Sequence, residues 1–337
     1  MRRADVQISI KGKDVTEDLR PYLLSVEFTD KSDDELDDLQ LQLEDRERLF
    51  QGDWMPKPGD MLEAKITTSN WRGYGDSGQV DCGKFECDEI EFESSMDGDR
   101  MTIKGVPAVV KSSLMAQKKT RAWGDVKLSE VISDIAGEAG LDTLYKAPEI
   151  VFERVEQRQE CDLEFMQRIC KDQGLRLAIK KNRVIVYMGQ TADESDPIEF
   201  ARDTADIEHL RFRKTMAGIY TECRVTYTDA GSSETTDKEF QPGEPPATGK
   251  VLTINKRVEH PAQAERLARA ELRDKNSQEI TGSFSGMGDT RMIAGCILEF
   301  KGWGGFDGKY VVKEAKHAYS FDGGYTTDVE LEKALEY

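Results

Sequence analysis

The chain has little of what chemistry at neutral pH draws on. Its 337 residues hold three His (His209, His260 and His317), far apart in sequence, whereas a zinc centre needs clustered ligands. The six Cys (Cys82, Cys87, Cys161, Cys170, Cys223 and Cys296) include no C-x-x-C spacing. They read as reduced thiols of an intracellular chain rather than a disulfide framework; whether Cys82 and Cys87 ever pair stays open. Four Trp (Trp54, Trp71, Trp123 and Trp303) are scattered along the chain, which disfavours a clustered aromatic platform for sugars. No run approaches the ~20 apolar residues of a membrane-spanning helix. The N-terminal "MRRADVQISIKGKD" lacks the apolar core of a signal peptide. Basic charge is in deficit: 47 Lys and Arg against 65 Asp and Glu, a formal net charge of −18. That balance argues against specific nucleic-acid binding, which depends on neutralising phosphates. A negative wall would instead let a negative polymer pass without sticking. No metal or cofactor is expected.

What is present is mainly β. In "DLQLQLED" Leu39, Leu41 and Leu43 alternate with Gln40 and Gln42, the period of a half-buried strand. "CGKFECDEIEFES", a "DGDR" turn and "MTIKGV" read as a hairpin turning at Asp97-Gly98. The character changes near Pro107. "KLSEVISDIAGEAGL" places Leu128, Val131, Ile132, Ile135, Ala136 and Ala139 on one helical face, ended by Gly140. In "ECDLEFMQRICKDQGLRLAIKKNRVIVY", Asp162 is expected to cap a helix over 163–172 that buries Leu163, Met166, Ile169 and Cys170. Strands 175–179 and 184–187 should then pair across a basic tip. "IYTECRVTY" alternates again, 229–250 reads as a long polar loop, and "PAQAERLARAELRDKN" is a third helix with Pro261 in its first turn. A hairpin turning at Asp322–Gly324 closes the chain.

Two distant stretches, Pro58–Lys104 and Ala294–Lys333, match in order. Gly59, Leu62, Glu63 and Lys65 align with Gly295, Leu298, Glu299 and Lys301; Gly83, Lys84, Phe85 and Glu89 align with Gly308, Lys309, Tyr310 and Glu314. Duplication accounts for two ordered blocks better than coincidence does. The expected architecture is α+β but mainly β: two β-barrel domains with a small α+β domain inserted between them. The boundaries read as 1–108, 109–195 and 196–337, with strands near 200–215 left open between the barrels.

This order of segments resembles the baseplate hub proteins of contractile phage tails, the late control D protein family. It is also similar to the hub part of type VI secretion spikes and of phage-tail-like bacteriocins. The stretches that carry it are "VTEDLRPYLLSVEFTDKSDDELDDLQLQLEDRERLF", "DLEFMQRICKDQGLRLAIKKNRVIVY" and "GKYVVKEAKHAYSFDGGYTTDVELE". The resemblance implies tail-tube-like barrels and a homotrimer that adapts a three-fold spike protein to a six-fold tail tube protein. It implies further baseplate or tape-measure partners, assembly in the bacterial host cytoplasm and a place in the virion tail or a tail-like particle. Because the chain ends at Tyr337, the spike is expected to be a separate protein.

Catalytic motifs fail on inspection. Gly282-Ser283-Phe284-Ser285-Gly286 has Phe where a nucleophile elbow needs Ser. "WGGFDGKY" has Trp303 for the first Gly of a phosphate loop and Tyr310 where Ser or Thr must hold Mg²⁺. "DKSDDELDD" read as a calcium loop from Asp30 lacks Gly at Glu35 and Glu at Leu41. The expectation is a structural protein rather than an enzyme. A tail-associated cell-wall hydrolase, with two carboxylates hidden among the acids, and a carbohydrate-binding adhesin stand as alternatives. Candidate interface residues are the basic tip Lys180, Lys181 and Arg183, read against an acidic neighbour, and the acidic run Asp33, Asp34, Asp37 and Asp38, read as the rim of a channel.

Overall fold

The computed structural model describes the chain except for residues 33–34, 109–113, 181, 204–205, 229–234, 257 and 259. In chain order the first β region comprises β1 (Arg3–Ile10), β2 (Lys13–Asp14), a short helix α1 (Thr16–Leu19), β3 (Leu23–Lys31), β4 (Asp38–Glu44), β5 (Met61–Ser69), β6 (Ser77–Ser95) and β7 (Gly98–Pro107). A mixed region follows: β8 (Lys119–Lys127), α2 (Leu128–Glu138), β9 (Asp142–Lys146), β10 (Val151–Glu160), α3 (Asp162–Asp172), β11 (Arg176–Lys180) and β12 (Arg183–Tyr187). The remainder is β13 (Ile198–Ala201), β14 (His209–Lys214), β15 (Glu222–Thr228), β16 (Thr235–Phe240), β17 (Val251–Asn255), α4 (Pro261–Asn276), β18 (Ile280–Met287), β19 (Ile297–Lys301), β20 (Gly308–Ser320) and β21 (Gly324–Lys333).

Separate closed barrels are not seen among the described residues. The first and last β regions share one 13-stranded sheet, whose path runs β14-β18-β21-β20-β3-β4-β7-β6-β5-β1-β2. The physical reason is the length of β20. Its first part, Ile297↔Val311 to Phe300↔Gly308, pairs with β19; its second part, Glu314 to Ser320, pairs with β3 of the other half. A strand that serves two neighbours in succession carries the sheet across what would otherwise be a domain boundary.

The repeat read in the sequence is a repeat of backbone geometry. The sheet path contains the unit β14-β18-β21-β20 followed by the unit β3-β4-β7-β6, all antiparallel. Leu62 lies opposite Phe85 and Glu63 opposite Lys84; Leu298 lies opposite Tyr310 and Glu299 opposite Lys309. Gly59 (φ 93°) and Gly295 (φ 90°) sit in the same backbone region, one that an L side chain resists. The Gly59 amide donates to Cys87 O and the Gly295 amide to Val312 O, each at 2.8 Å. A bulge falls between Cys87 and Glu89 in one half and between Val312 and Glu314 in the other. Such bulges bend a strand and increase its twist, which lets β6 and β20 each turn from one neighbour to the next.

In the mixed region α2 and α3 bury Leu128, Val131, Ile132, Ile135, Met166, Ile169 and Cys170 against Leu177, Val184 and Val186 of β11 and β12. The cap of α3 differs from the sequence expectation. Cys161 is the N-cap, and its amide donates to Glu164 Oε2 at 2.9 Å. Asp162 is instead buried, accepting from Lys119 Nζ and an Arg121 guanidinium nitrogen, each at 2.6 Å, and from Gln157 Nε2 at 2.8 Å. It pins α3 to β8 and β10. The presumed loop 229–250 contains β16, which pairs with β15. α4 packs Ala264, Leu267, Ala268 and Leu272 on Cys223 and Val225 of β15.

Candidate functional site

With a sheet that passes from one half to the other, the informative places are the joint between the halves and the strand edges left over. At the joint β3 lies along β20, with Phe28 opposite His317. The two rings stack at 6.2 Å. His317 is fully buried. Its Nε2 faces Met292 O at 2.7 Å and therefore carries the proton; its Nδ1, 2.7 Å from the Tyr325 hydroxyl, accepts. Burial pushes its pKa below the usual value, so the ring is a neutral packing and hydrogen-bonding group. Across the same joint Trp71 Nε1 donates to Gly288 O at 2.5 Å, and Arg72 pairs with Asp289.

The basic tip is where the structure corrects the sequence reading. Lys180 does not project as a free charge. Its ammonium pairs with Asp30, donates to Lys31 O at 2.5 Å and reaches Asp37 Oδ1 at 2.7 Å. The acidic neighbour is this chain's own β3 and the loop after it. Asp30 also accepts the Ala294 amide on Oδ2 at 2.8 Å, so one carboxylate ties β3, the β11–β12 hairpin and the approach to β19. Burial disfavours the Lys180 charge, but Asp30 and Asp37 outweigh it and raise its pKa. Burial, opposed by Lys180 and helped by the Asp30 charge, pushes Asp37 up to about 6. Of the other candidates, Arg183 is exposed and Asp38 faces Lys31 Nζ at 3.5 Å. Lys181, Asp33 and Asp34 lie outside the described residues. The joining acid, Asp30, was missed as an interface residue; its place on β3, just before the acidic run, was the available signal.

The failed catalytic motifs are structural. The Gly282–Gly286 stretch lies within β18, with Phe284 buried. Gly304–Phe306 form a single 3-10 turn before β20. All six Cys are buried and none is in a disulfide. Among the described residues no group of three or more His, Cys, Asp or Glu is placed to hold a metal ion, and no helix is long and apolar enough to cross a membrane.

Two edges remain. On β6, Glu89–Ser95 pair with β7 on one side, while β5 reaches only as far as Glu86 on the other. Among the described residues β14 pairs with β18 alone. Most of both segments is exposed, including Phe92 at 44%.

Comparison with known proteins agrees with this architecture. The family described as "Phage tail baseplate hub (GPD)" matches residues 82–323. A probable baseplate hub protein of Escherichia phage 186 is 26% identical over 190 residues, 55% of this chain and 45% of that protein. One of Escherichia phage P2 is 24% identical over 223 residues, 64% and 54% of the two. The chain thus spans about half the length of the curated relatives it matches. The fold is shared with the 43 kDa tail protein of prophage MuSo2 from Shewanella oneidensis (TM-score 0.73, 11% identity, 98% of each chain). It is also shared with a tail protein from Neisseria meningitidis MC58 (TM-score 0.71, 13% identity, 98% and 96% of the chains). A type VI secretion component of E. coli, c3393, has the fold as well (TM-score 0.58, 11% identity, 99% and 77%).

Proposed function

Because the chain belongs to the phage tail baseplate hub family, we propose that three copies form a ring that adapts a three-fold spike to a six-fold tail tube. The observation that carries this reading is the internal repeat. Two units with the same strand order, glycines and bulge positions in each chain present two like surfaces per copy. Three copies would then offer six equivalent units to the tube while keeping three-fold symmetry for the spike.

Each half acts as a tail-tube-like barrel module completed by its neighbours rather than closing on itself. The unit at 109–195 is carried on the outside of the ring, with the exposed Arg183 available to further baseplate or tape-measure components. The net charge of −18 suits a lumen wall that a negative polymer passes without binding. Assembly takes place in the host cytoplasm. The hub is expected to turn over no substrate: purified protein should leave peptidoglycan intact, and clearing abolished by one Asp or Glu substitution would overturn that point. Native mass spectrometry of the protein, alone and with its spike protein, tests the ring. A trimer is expected, and monomer under both conditions contradicts it.

A further inference from the structure

The sheet contains within one chain a template for how one unit joins the next. At the joint the second part of β20 lies against β3, with Lys316 opposite Thr29, His317 opposite Phe28 and Ala318 opposite Glu27. Each partner has a counterpart that lacks this neighbour. From the shared positions Gly83 and Gly308, through matched bulges, Lys316, His317 and Ala318 correspond to Glu91, Phe92 and Glu93 of β6. From the matched ladders β3-β4-β7 and β14-β18-β21, Thr29, Phe28 and Glu27 correspond to Arg213, Phe212 and Arg211 of β14. The open edge of β6 is therefore the equivalent of β20 without its β3. The open edge of β14 is the equivalent of β3 without its β20.

We infer that β6 of one copy pairs antiparallel with β14 of the next, in the register of the in-chain joint: Glu91 opposite Arg213, Phe92 opposite Phe212 and Glu93 opposite Arg211. This rests on the ring reading above and gives it a contact surface. Three observations support it independently of the family. First, charge is complementary at both flanking positions, as cross-strand neighbours favour. Among the described residues Glu93, Arg211 and Arg213 have no ion-pair partner of their own, while Glu91 reaches only Lys104 at 3.8 Å. Second, Phe92 is an exposed aromatic on an exposed strand, and its counterpart His317 stacks on Phe28; Phe212 is the ring the template places against it. Third, the signs are reversed from the in-chain joint. There the cation is on β20 and the acid on β3, with Lys316 Nζ 2.6 Å from Glu27 Oε2. An acidic β6 is therefore matched to basic β14 and mismatched to the acidic β3, which directs the edge to one partner. The contact is head-to-tail, so a chain of copies must close into a ring or grow as a filament. Closure leaves neither edge exposed to uncontrolled pairing.

Cysteine cross-linking tests the register. All six native Cys are buried, so Glu93→Cys and Arg211→Cys introduce the accessible pair. Under mild oxidation the double variant should give covalent dimer and trimer on a non-reducing gel. A mixture of the two single variants should give covalent dimer only, and each single alone should give monomer. Arg211→Glu should lose native trimer, and adding Glu93→Arg should restore it. Trimer by native mass spectrometry with no cross-link and no charge-swap rescue overturns the register but leaves the ring. Absence of any oligomer, with or without the spike protein, overturns both.

Discussion

Both halves keep one aromatic pair, Phe28 with Phe85 and Phe212 with Tyr310, but beside it the first half packs aliphatic side chains, Val26, Leu39, Leu41 and Ile103. In the second half that place is taken by further rings, Phe200, Phe284 and Phe300. Register makes the exchange explicit. Ala64 corresponds to Phe300 and Leu41 to Phe284, while Leu39 opposite Gly105 becomes Gly282 opposite Leu331. In both halves the glycine of that pair is where an aromatic ring comes close. A Cβ on Gly105 would meet Phe85 Cβ at 2.8 Å, and one on Gly282 would meet the Phe212 ring at 2.8 Å. The lesson is that duplication preserved the backbone devices (register, bulge and positive-φ glycine) and let volume move between facing strands, as dense packing requires.

The halves differ also in how their edges are held. The β3 edge is fixed by Asp30, which binds Lys180 and the Ala294 amide. Its counterpart on β14 is Lys214, which faces Glu279 at 3.5 Å. A joint within the chain has a buried tie; the edge proposed to join copies has exposed charge, suited to forming during assembly.

The largest expected effect comes from the aromatic core. Phe300 is fully buried and stacks on Phe200 at 5.4 Å with Phe212 at 5.2 Å. Phe300→Ala should cost about 3–5 kcal/mol in urea unfolding. Hydrogen exchange on that variant should show the second half loosening before β4 and β7; equal loss of protection in both would mean the halves do not open separately. Lys180→Ala comes next. It leaves two carboxylates facing each other, and because about a quarter of the lysine side chain is wet (27%) the loss should be roughly 2 kcal/mol, below the ~3–5 of a fully buried pair. A cost under about 0.5 kcal/mol would return Lys180 to the status of a solvated turn residue.

The paired glycines sharpen the comparison further. Gly59→Ala and Gly295→Ala impose the same backbone strain, on the order of 1–2 kcal/mol. Only at Gly295 does the new methyl crowd a neighbour, Thr191 Oγ1 at 2.9 Å, against 3.9 Å to Glu86 Oε1 at Gly59. Thermal melts should therefore rank Gly295→Ala as the less stable variant; the reverse order would contradict the equivalence drawn between the two turns.

The smallest effect concerns Asp37. Burial holds its carboxyl at about 6 in the folded chain, above the roughly 4 of a free Asp, so between those values the folded chain binds the extra proton. That contribution is present below about pH 4 and lost as pH rises through about 6. Asp37→Asn should be neutral or slightly stabilising at pH 7.5. The stability of wild type relative to the variant should fall as pH rises from about 4 to 6.5, and a flat difference across that window would reject the assignment.

Much of this organisation is legible in sequence because its signals are local. Leu39, Leu41 and Leu43 alternate, the α2 and α3 faces repeat at helical spacing, and the glycines of the repeat hold their offsets. The shared sheet is not legible, because β3 and β20 lie near opposite ends of the chain and nothing local marks them as partners. Lys180 meets Asp30 across 150 residues and Asp37 across 143, so nothing local shows that the acidic neighbour of the basic tip lies in the same chain. β16 escaped notice for another reason. "TTDKEF" has no apolar alternation; its strand character comes from pairing with β15.

The central claim is that copies join as the halves within a copy do, and electron cryo-microscopy of the hub assembled with its spike protein tests it most directly. The predicted map shows three chains in a closed ring, six sheet units in alternating order, and β6 of each copy beside β14 of the next. A ring in which copies meet through other faces, or a two-fold assembly with both edges bare, would contradict it.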